Sequence, residues 1–211
     1  MTRNQLHGKK FEDFIKGCGR FPGASDAERS VTASFDIEAR FDREHGLPTS
    51  IKATGNSGVA LSDARRFWSL NEAFRMIVGV YRQEAEQKVF AQVLEFVLTP
   101  EMLLTLRGTV TLDEVTRLHE GIGSAYFPIG DHVNARRWVK TELAMLRSTY
   151  GAVKLNPKID SKDQRRVQCS VPLAALITIC QTVKNHWCHE DRIGDVALPI
   201  IYFSSRRKFS D

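Results

Sequence analysis

The stretch from Phe35 to Thr54 constrains this chain more than any other. Across residues 31–41, Phe35, Ile37, Ala39 and Phe41 alternate with Asp36, Glu38 and Arg40, the period-two pattern of a strand with one buried and one charged face. His45-Gly46-Leu47-Pro48 reads as a turn, because glycine and proline punctuate it. Residues 47–54 then read as a returning strand. An antiparallel pair over this distance directs Asp36, Glu38 and Lys52 toward one spot.

The rest of the chain supplies elements to surround such a pair. Residues 8–15 (GKKFEDFI) predict a short helix with Phe11, Phe14 and Ile15 on one face, broken by the glycines and proline of 17–25. Helical spacing returns over 61–74, with Ser62 or Asp63 suited to its start. The runs 75–82 (RMIVGVYR) and 88–98 (KVFAQVLEFVL) predict a hairpin. Thr99-Pro100-Glu101 carries the cap, proline and acid of a helix start, and 111–120 and 131–150 predict two more helices. A β-rich stretch at 152–173, an apolar helix at 173–184 and a short strand at 197–203 complete the order. The expected class is α/β or α+β, with a mixed central β-sheet flanked by helices and a helical insertion. Its 211 residues are expected to form one domain: a core half at 1–98, a helical region at 99–150 and a C-terminal segment at 151–211.

Composition narrows the class. Hydrophobic residues at 42% and charged residues at 26% are ordinary for a globular protein. No apolar run approaches the roughly 18–20 residues of a membrane span. The opening MTRNQLHGKKFED is too polar for a signal peptide, so a cytoplasmic protein is expected. Cys18, Cys169, Cys180 and Cys188 form no CxxC pair, which points to reduced thiols. His186, Cys188 and His189 lie too close together for a zinc site with Cys180. A formal charge of +5 suits a polyanionic partner without requiring one.

Two carboxylates and an ammonium at one place are the equipment for phosphodiester hydrolysis. Carboxylate-bound magnesium neutralises developing charge, and a nearby lysine orients water or stabilises the phosphorane. The competing reading is a solvated cross-strand ion pair. GKKFEDFI, FDIEARFD and PTSIKAT together resemble the helix–strand–strand opening of the PD-(D/E)XK nuclease superfamily, which includes type II restriction endonucleases. The resemblance covers roughly the first seventy-five residues. It implies a restriction-endonuclease-like core, Mg2+ as cofactor and double-stranded DNA as substrate. It places the first acid on Asp36, the lysine on Lys52 and the helix-borne acid on Glu12. Ser50 stands where the family has its second acid, and Phe35 where it has proline. Glu38 is the first choice for the missing carboxylate, since i and i+2 of a strand share a face; Glu12, Asp63 and Glu72 are the others. Asp36 and Glu38 are thus the expected metal ligands.

A second stretch, KLNPKIDSKDQRRVQCS, spans Lys154 to Ser170. Lys154, Lys158, Lys162, Arg165 and Arg166 supply charge for phosphates and guanine edges. Asn156, Gln164 and Gln168 supply amides suited to adenine. A β-ribbon carrying them fits a major groove; a charged surface hairpin is the plain alternative. Arg65-Arg66, a basic helix start at Asn134, Arg136, Arg137 and Lys140, and the tail 204–209 are weaker candidates for phosphate contact. Trp68, Trp138 and Trp187 are expected in core or dimer surface. The functional expectation is a sequence-specific type II endonuclease. It would act as a homodimer on palindromic DNA, alongside a cognate methyltransferase that protects the host. Its rivals are a junction-resolving nuclease and a DNA-binding protein that does not cut.

Overall fold

The computed structural model describes residues 3–24, 35–55, 57–84, 87–146, 151–161, 164–180, 188–189, 192–193, 196–197 and 200–202. The chain is a mixed α and β protein that divides into two compact units. The first comprises 1–57, 73–98 and 180–211; the second comprises 58–72 and 99–179.

In the first unit, helix α1 (Arg3–Gly17) packs on a four-stranded sheet. Its order is β1 (Thr49–Thr54), β3 (Phe74–Glu84), β4 (Gln87–Leu98) and β10 (Ile200–Tyr202). β1 runs parallel to β3, whereas β3–β4 and β4–β10 are antiparallel. The hairpin expected from 75–98 is therefore present. The core joins Phe11 and Ile15 of α1 with Phe21, Ile37, Ile51, Ile77, Phe90 and Val93. Ile51 pairs with Ile77, so both project to the helix side, and alternation turns Ser50 and Lys52 to the other side. Phe11 stacks on Phe90, with centroids 4.6 Å apart and planes 7° from parallel. Gly79 makes room for it, since a Cβ there would stand 2.5 Å from the Phe11 ring. Gly79→Ala is expected to cost about 1–3 kcal/mol by overpacking, read as a lower urea midpoint. Adding Phe11→Leu should recover part of the loss; an unchanged midpoint for the single variant would contradict this packing.

The second unit carries a sheet in the order β2 (Gly58–Asp63), β6 (Arg165–Pro172) and β5 (Lys154–Ile159), antiparallel throughout. Its helices are α2 (Ala64–Ser69), α3 (Pro100–Arg107), α4 (Leu112–Gly121), α5 (His132–Leu146) and α6 (Leu173–Ile179). The Thr99 cap falls where expected. Thr99 accepts the Met102 N–H, with Pro100 in the first turn. Thr111 and Glu114 form a reciprocal capping box. Trp68 is buried and donates to the Val110 carbonyl at 2.8 Å. Arg107 ties the end of α3 to the Phe67 and Leu70 carbonyls. Three two-residue strands, β7 (Cys188–His189), β8 (Arg192–Ile193) and β9 (Val196–Ala197), form a separate antiparallel ladder.

Several expectations change. The strands are distributed over separate sheets instead of one central sheet. The strand expected at 31–41 is reduced, among the described residues, to a single antiparallel bridge between Ile37 and Thr49. A 3-10 turn at Ala39–Phe41 follows it. The reason is Asp42, whose carboxylate accepts the N–H groups of Glu44, His45 and Leu47 and curls the chain before a strand can extend. The start of the expected helix at 61–74 is strand β2 instead. Val59 and Leu61 are buried between exposed Ala60 and Ser62, and the helix begins only after Asp63 caps it. The 173–184 helix is described as far as Ile179; its remainder lies outside the described residues, as do Trp187, His186 and the 204–209 tail.

Candidate functional site

The Ile37–Thr49 bridge builds the site. The Asp36 and Ile37 N–H groups both donate to the Thr49 carbonyl, at 2.8 and 3.0 Å, and the Thr49 N–H returns to Ile37 at 2.8 Å. This lays the Asp36 side chain along the edge of β1. There its Oδ2 accepts the Ile51 backbone N–H at 2.6 Å. The Ser50 hydroxyl donates to the same oxygen at 3.4 Å, and the Lys52 ammonium stands 3.7 Å from it. The Asp36 and Lys52 side chains are only 10% and 20% exposed, so their attraction is less screened than that of a surface pair. Three of the residues singled out in the sequence thus meet: Asp36, Ser50 and Lys52.

The other expected acids are placed differently. Glu38 does not share a strand face with Asp36, because the chain leaves extended geometry after Ile37. It precedes the 3-10 turn, exposed, and its carboxylate pairs with the Arg40 guanidinium at 3.0 Å. Glu12 pairs with Lys16 at 2.7 Å and Lys9 at 3.6 Å. Its helix covers the sheet face opposite to that of Ser50 and Lys52. Asp63 is occupied in capping α2, and Glu72 is exposed; both belong to the second unit. Among the described residues no three His, Cys, Asp or Glu side chains cluster as a metal site. The donor set beside Ser50 is one carboxylate and one hydroxyl. That fits magnesium only in the mode where one carboxylate anchors the ion while waters and substrate phosphate complete its shell.

A cluster that sequence reasoning missed lies on the α1 side of the same sheet. Arg75, fully buried, sits 3.0 Å from Glu95 and 3.1 Å from Asp42. Arg20 reaches Glu95 at 3.1 Å and Glu44 at 2.6 Å. His45 Nδ1 is a close partner of Arg75, which gives that turn histidine a place. Burial lowers the Arg75 pKa and raises that of Glu95, while the opposite charges of the pair resist both shifts. The Arg75 N–H also holds the Pro48 carbonyl at 2.9 Å, so the cluster anchors the loop that feeds β1. The signal was present: Arg75 and Glu95 interrupt apolar runs, and a charge in a buried strand requires a partner.

The ribbon expected from 154–170 exists as β5 and β6. Its register pairs Lys154 with Ser170, Asn156 with Gln168 and Lys158 with Arg166. These residues share the more exposed face, while Leu155, Val167, Cys169 and Val171 are buried on the other. Asn156 donates to the Ser170 hydroxyl at 2.8 Å. Arg165 departs from the expected set. It pairs with Ile159 on the inner face and donates to the Asp160 carbonyl. Gln164 lies in the turn, with its N–H on the Asp160 carboxylate, and Lys162 lies outside the described residues. Arg136 of α5 is also committed, donating twice to the Ile159 carbonyl. Asn134 donates to Asp131.

Among the described residues Cys18, Cys169 and Cys180 form no disulfide, and burial pushes Cys180 up to about 11, far from a reactive thiolate. Among the described residues no helix is long and apolar enough to cross a membrane. No protein-family model matches the chain, and no curated protein or solved structure matches it either.

Proposed function

We propose that this protein is a magnesium-dependent endonuclease of double-stranded DNA with a restriction-endonuclease-like core. The observation that carries the reading is the convergence of Ser50 and Lys52 on one oxygen of Asp36 at the edge of β1. Asp36 would hold magnesium, which when bound supplies charge neutralisation at the scissile phosphate and an acidified water. Lys52, half-buried beside it, orients the attacking water and stabilises the phosphorane. Ser50 helps to place that water. The buried Arg75 cluster keeps the loop before β1 in position, so that Asp36 meets the strand in one register. The exposed face of β5–β6 presents Lys154, Asn156, Lys158, Arg166 and Gln168 to DNA. Cutting both strands of a palindromic site calls for a homodimer, and a site-specific enzyme of this kind calls for a protecting methyltransferase.

The reading is tested by digesting phage and plasmid DNA with purified protein in magnesium and in EDTA. Discrete, magnesium-dependent fragments are expected; no cleavage across metals and salts would reject it. A second reading, DNA binding without cutting, is favoured by the pairing of Glu38 with Arg40, which leaves Asp36 without that second acid. It predicts binding that persists in EDTA and no fragments in magnesium. Both readings use the ribbon. Lys158→Ala is expected to weaken binding to all sequences alike and to flatten the salt dependence by about one unit of log–log slope. An unchanged slope in a filter-binding series would remove Lys158 from the interface.

A further inference from the structure

The second unit contains a cleft of about 660 Å3 between α4, the following loop and α5, which the nuclease reading does not use. Tyr126, Phe127 and Trp138 line it, together with Asp113 and Glu120. The aromatic wall is built in. The Trp138 ring packs against Gly121, where any Cβ would collide with it at 2.1 Å. Phe127 stands 6.1 Å from Trp138, its plane turned by 48°. The Tyr126 and Phe127 N–H groups both return to the Gly123 carbonyl, which fixes the loop that presents the two rings. Tyr126 is 70% exposed, so its ring has a face to offer.

Charge selects among ligands for this cleft. Asp113 and Glu120 lie seven residues apart on one face of α4, and neither is in an ion pair among the described residues. The one cation among the described lining residues, Arg117, is neutralised by Glu142 at 2.8 Å. The cleft therefore keeps two uncompensated carboxylates beside three π-faces. Phosphate-bearing ligands are repelled by that charge. Aromatic faces and carboxylates attract a weakly hydrated organic cation, whose methyl groups pack on the rings while its charge meets the ring quadrupoles and the acids. The volume is that of a small-molecule site. We propose that this cleft binds a small organic cation bearing a methylated ammonium group, with Tyr126, Phe127 and Trp138 as its cage and Asp113 and Glu120 as its counter-charges.

The test titrates choline and benzyltrimethylammonium into the full chain and follows the indole N–H resonance of Trp138. The control is the uncharged analogue of choline with carbon in place of nitrogen. A saturable shift at about millimolar concentration or below is expected, at least roughly tenfold weaker for the uncharged analogue. Glu120→Gln and Tyr126→Ala, both at exposed positions, should each weaken choline binding about threefold or more while leaving thermal unfolding unchanged. The proposal is overturned if the uncharged analogue binds as well as choline, which would make the cleft merely apolar. It is equally overturned if neither cation gives a saturable shift, or if both variants bind choline like the parent chain.

Discussion

Lys52→Ala is expected to slow magnesium-dependent DNA cleavage by roughly 10²–10³-fold, the usual loss on removing one preorganised group from a developing charge. The measurement is single-turnover cleavage of a supercoiled plasmid at saturating protein, which separates chemistry from binding. Lys52 faces Asp36 at 3.7 Å with its side chain still 20% exposed. Both side chains are mostly buried, so losing Lys52 costs more stability than losing a surface pair would. Cleavage is therefore measured well below the variant's melting temperature, with its fold checked by circular dichroism, so that the rate loss is not put down to unfolding. Asp36→Asn should abolish cleavage outright, with a larger loss of stability, because the Ile51 N–H at 2.6 Å then loses its charged acceptor and Lys52 its counter-ion. Full cleavage by Lys52→Ala would reduce the Asp36–Lys52 contact to a structural ion pair and place the cutting chemistry elsewhere in the chain.

The largest effect on stability is expected at Arg75. Its side chain is fully buried between Glu95 and Asp42, and removing it leaves the buried Glu95 carboxylate with only the part-exposed Arg20 as counter-ion. Arg75→Met is expected to cost about 3–5 kcal/mol in urea unfolding. Adding Glu95→Leu should recover a large part of that loss, because an apolar pair of similar volume carries no desolvation penalty. Asp42 is then still satisfied by three backbone N–H groups. A loss below about 1 kcal/mol for Arg75→Met would mean that water reaches the cluster. The double-mutant comparison also separates charge from packing, since Arg75 lies 5.7 Å from the Phe21 ring as well.

Local elements were legible wherever the determinant was local. The cap at Thr99, the capping box at Thr111 and the apolar face of α1 all involve partners within a turn of one another. The β3–β4 hairpin was legible for the same reason, since its strands are adjacent in sequence. Glu38 was misplaced because alternation in 31–41 suggested a continuing strand, while the side chain of Asp42 offered the backbone closer partners. β2 was misread because Leu61 and Ala64 also fit a helical spacing, and only pairing with β6 decides the matter.

The sequence by itself determined the mixed helix–strand composition, the helix caps, the hairpin and the residue types available at the candidate site. Periodicity and capping act over a few residues, so they are written locally. The tertiary structure alone decided that β1 pairs in parallel with β3, that the strands divide between two units, and that Asp36 reaches across to Ile51, Ser50 and Lys52. It also decided which charges are buried together around Arg75 and which face of β5–β6 carries its polar residues. A buried apolar strand reads alike whichever neighbour it joins and in whichever direction. Its partner is chosen by the edges that meet when the core closes, and that choice places the side chains on which the proposed chemistry depends.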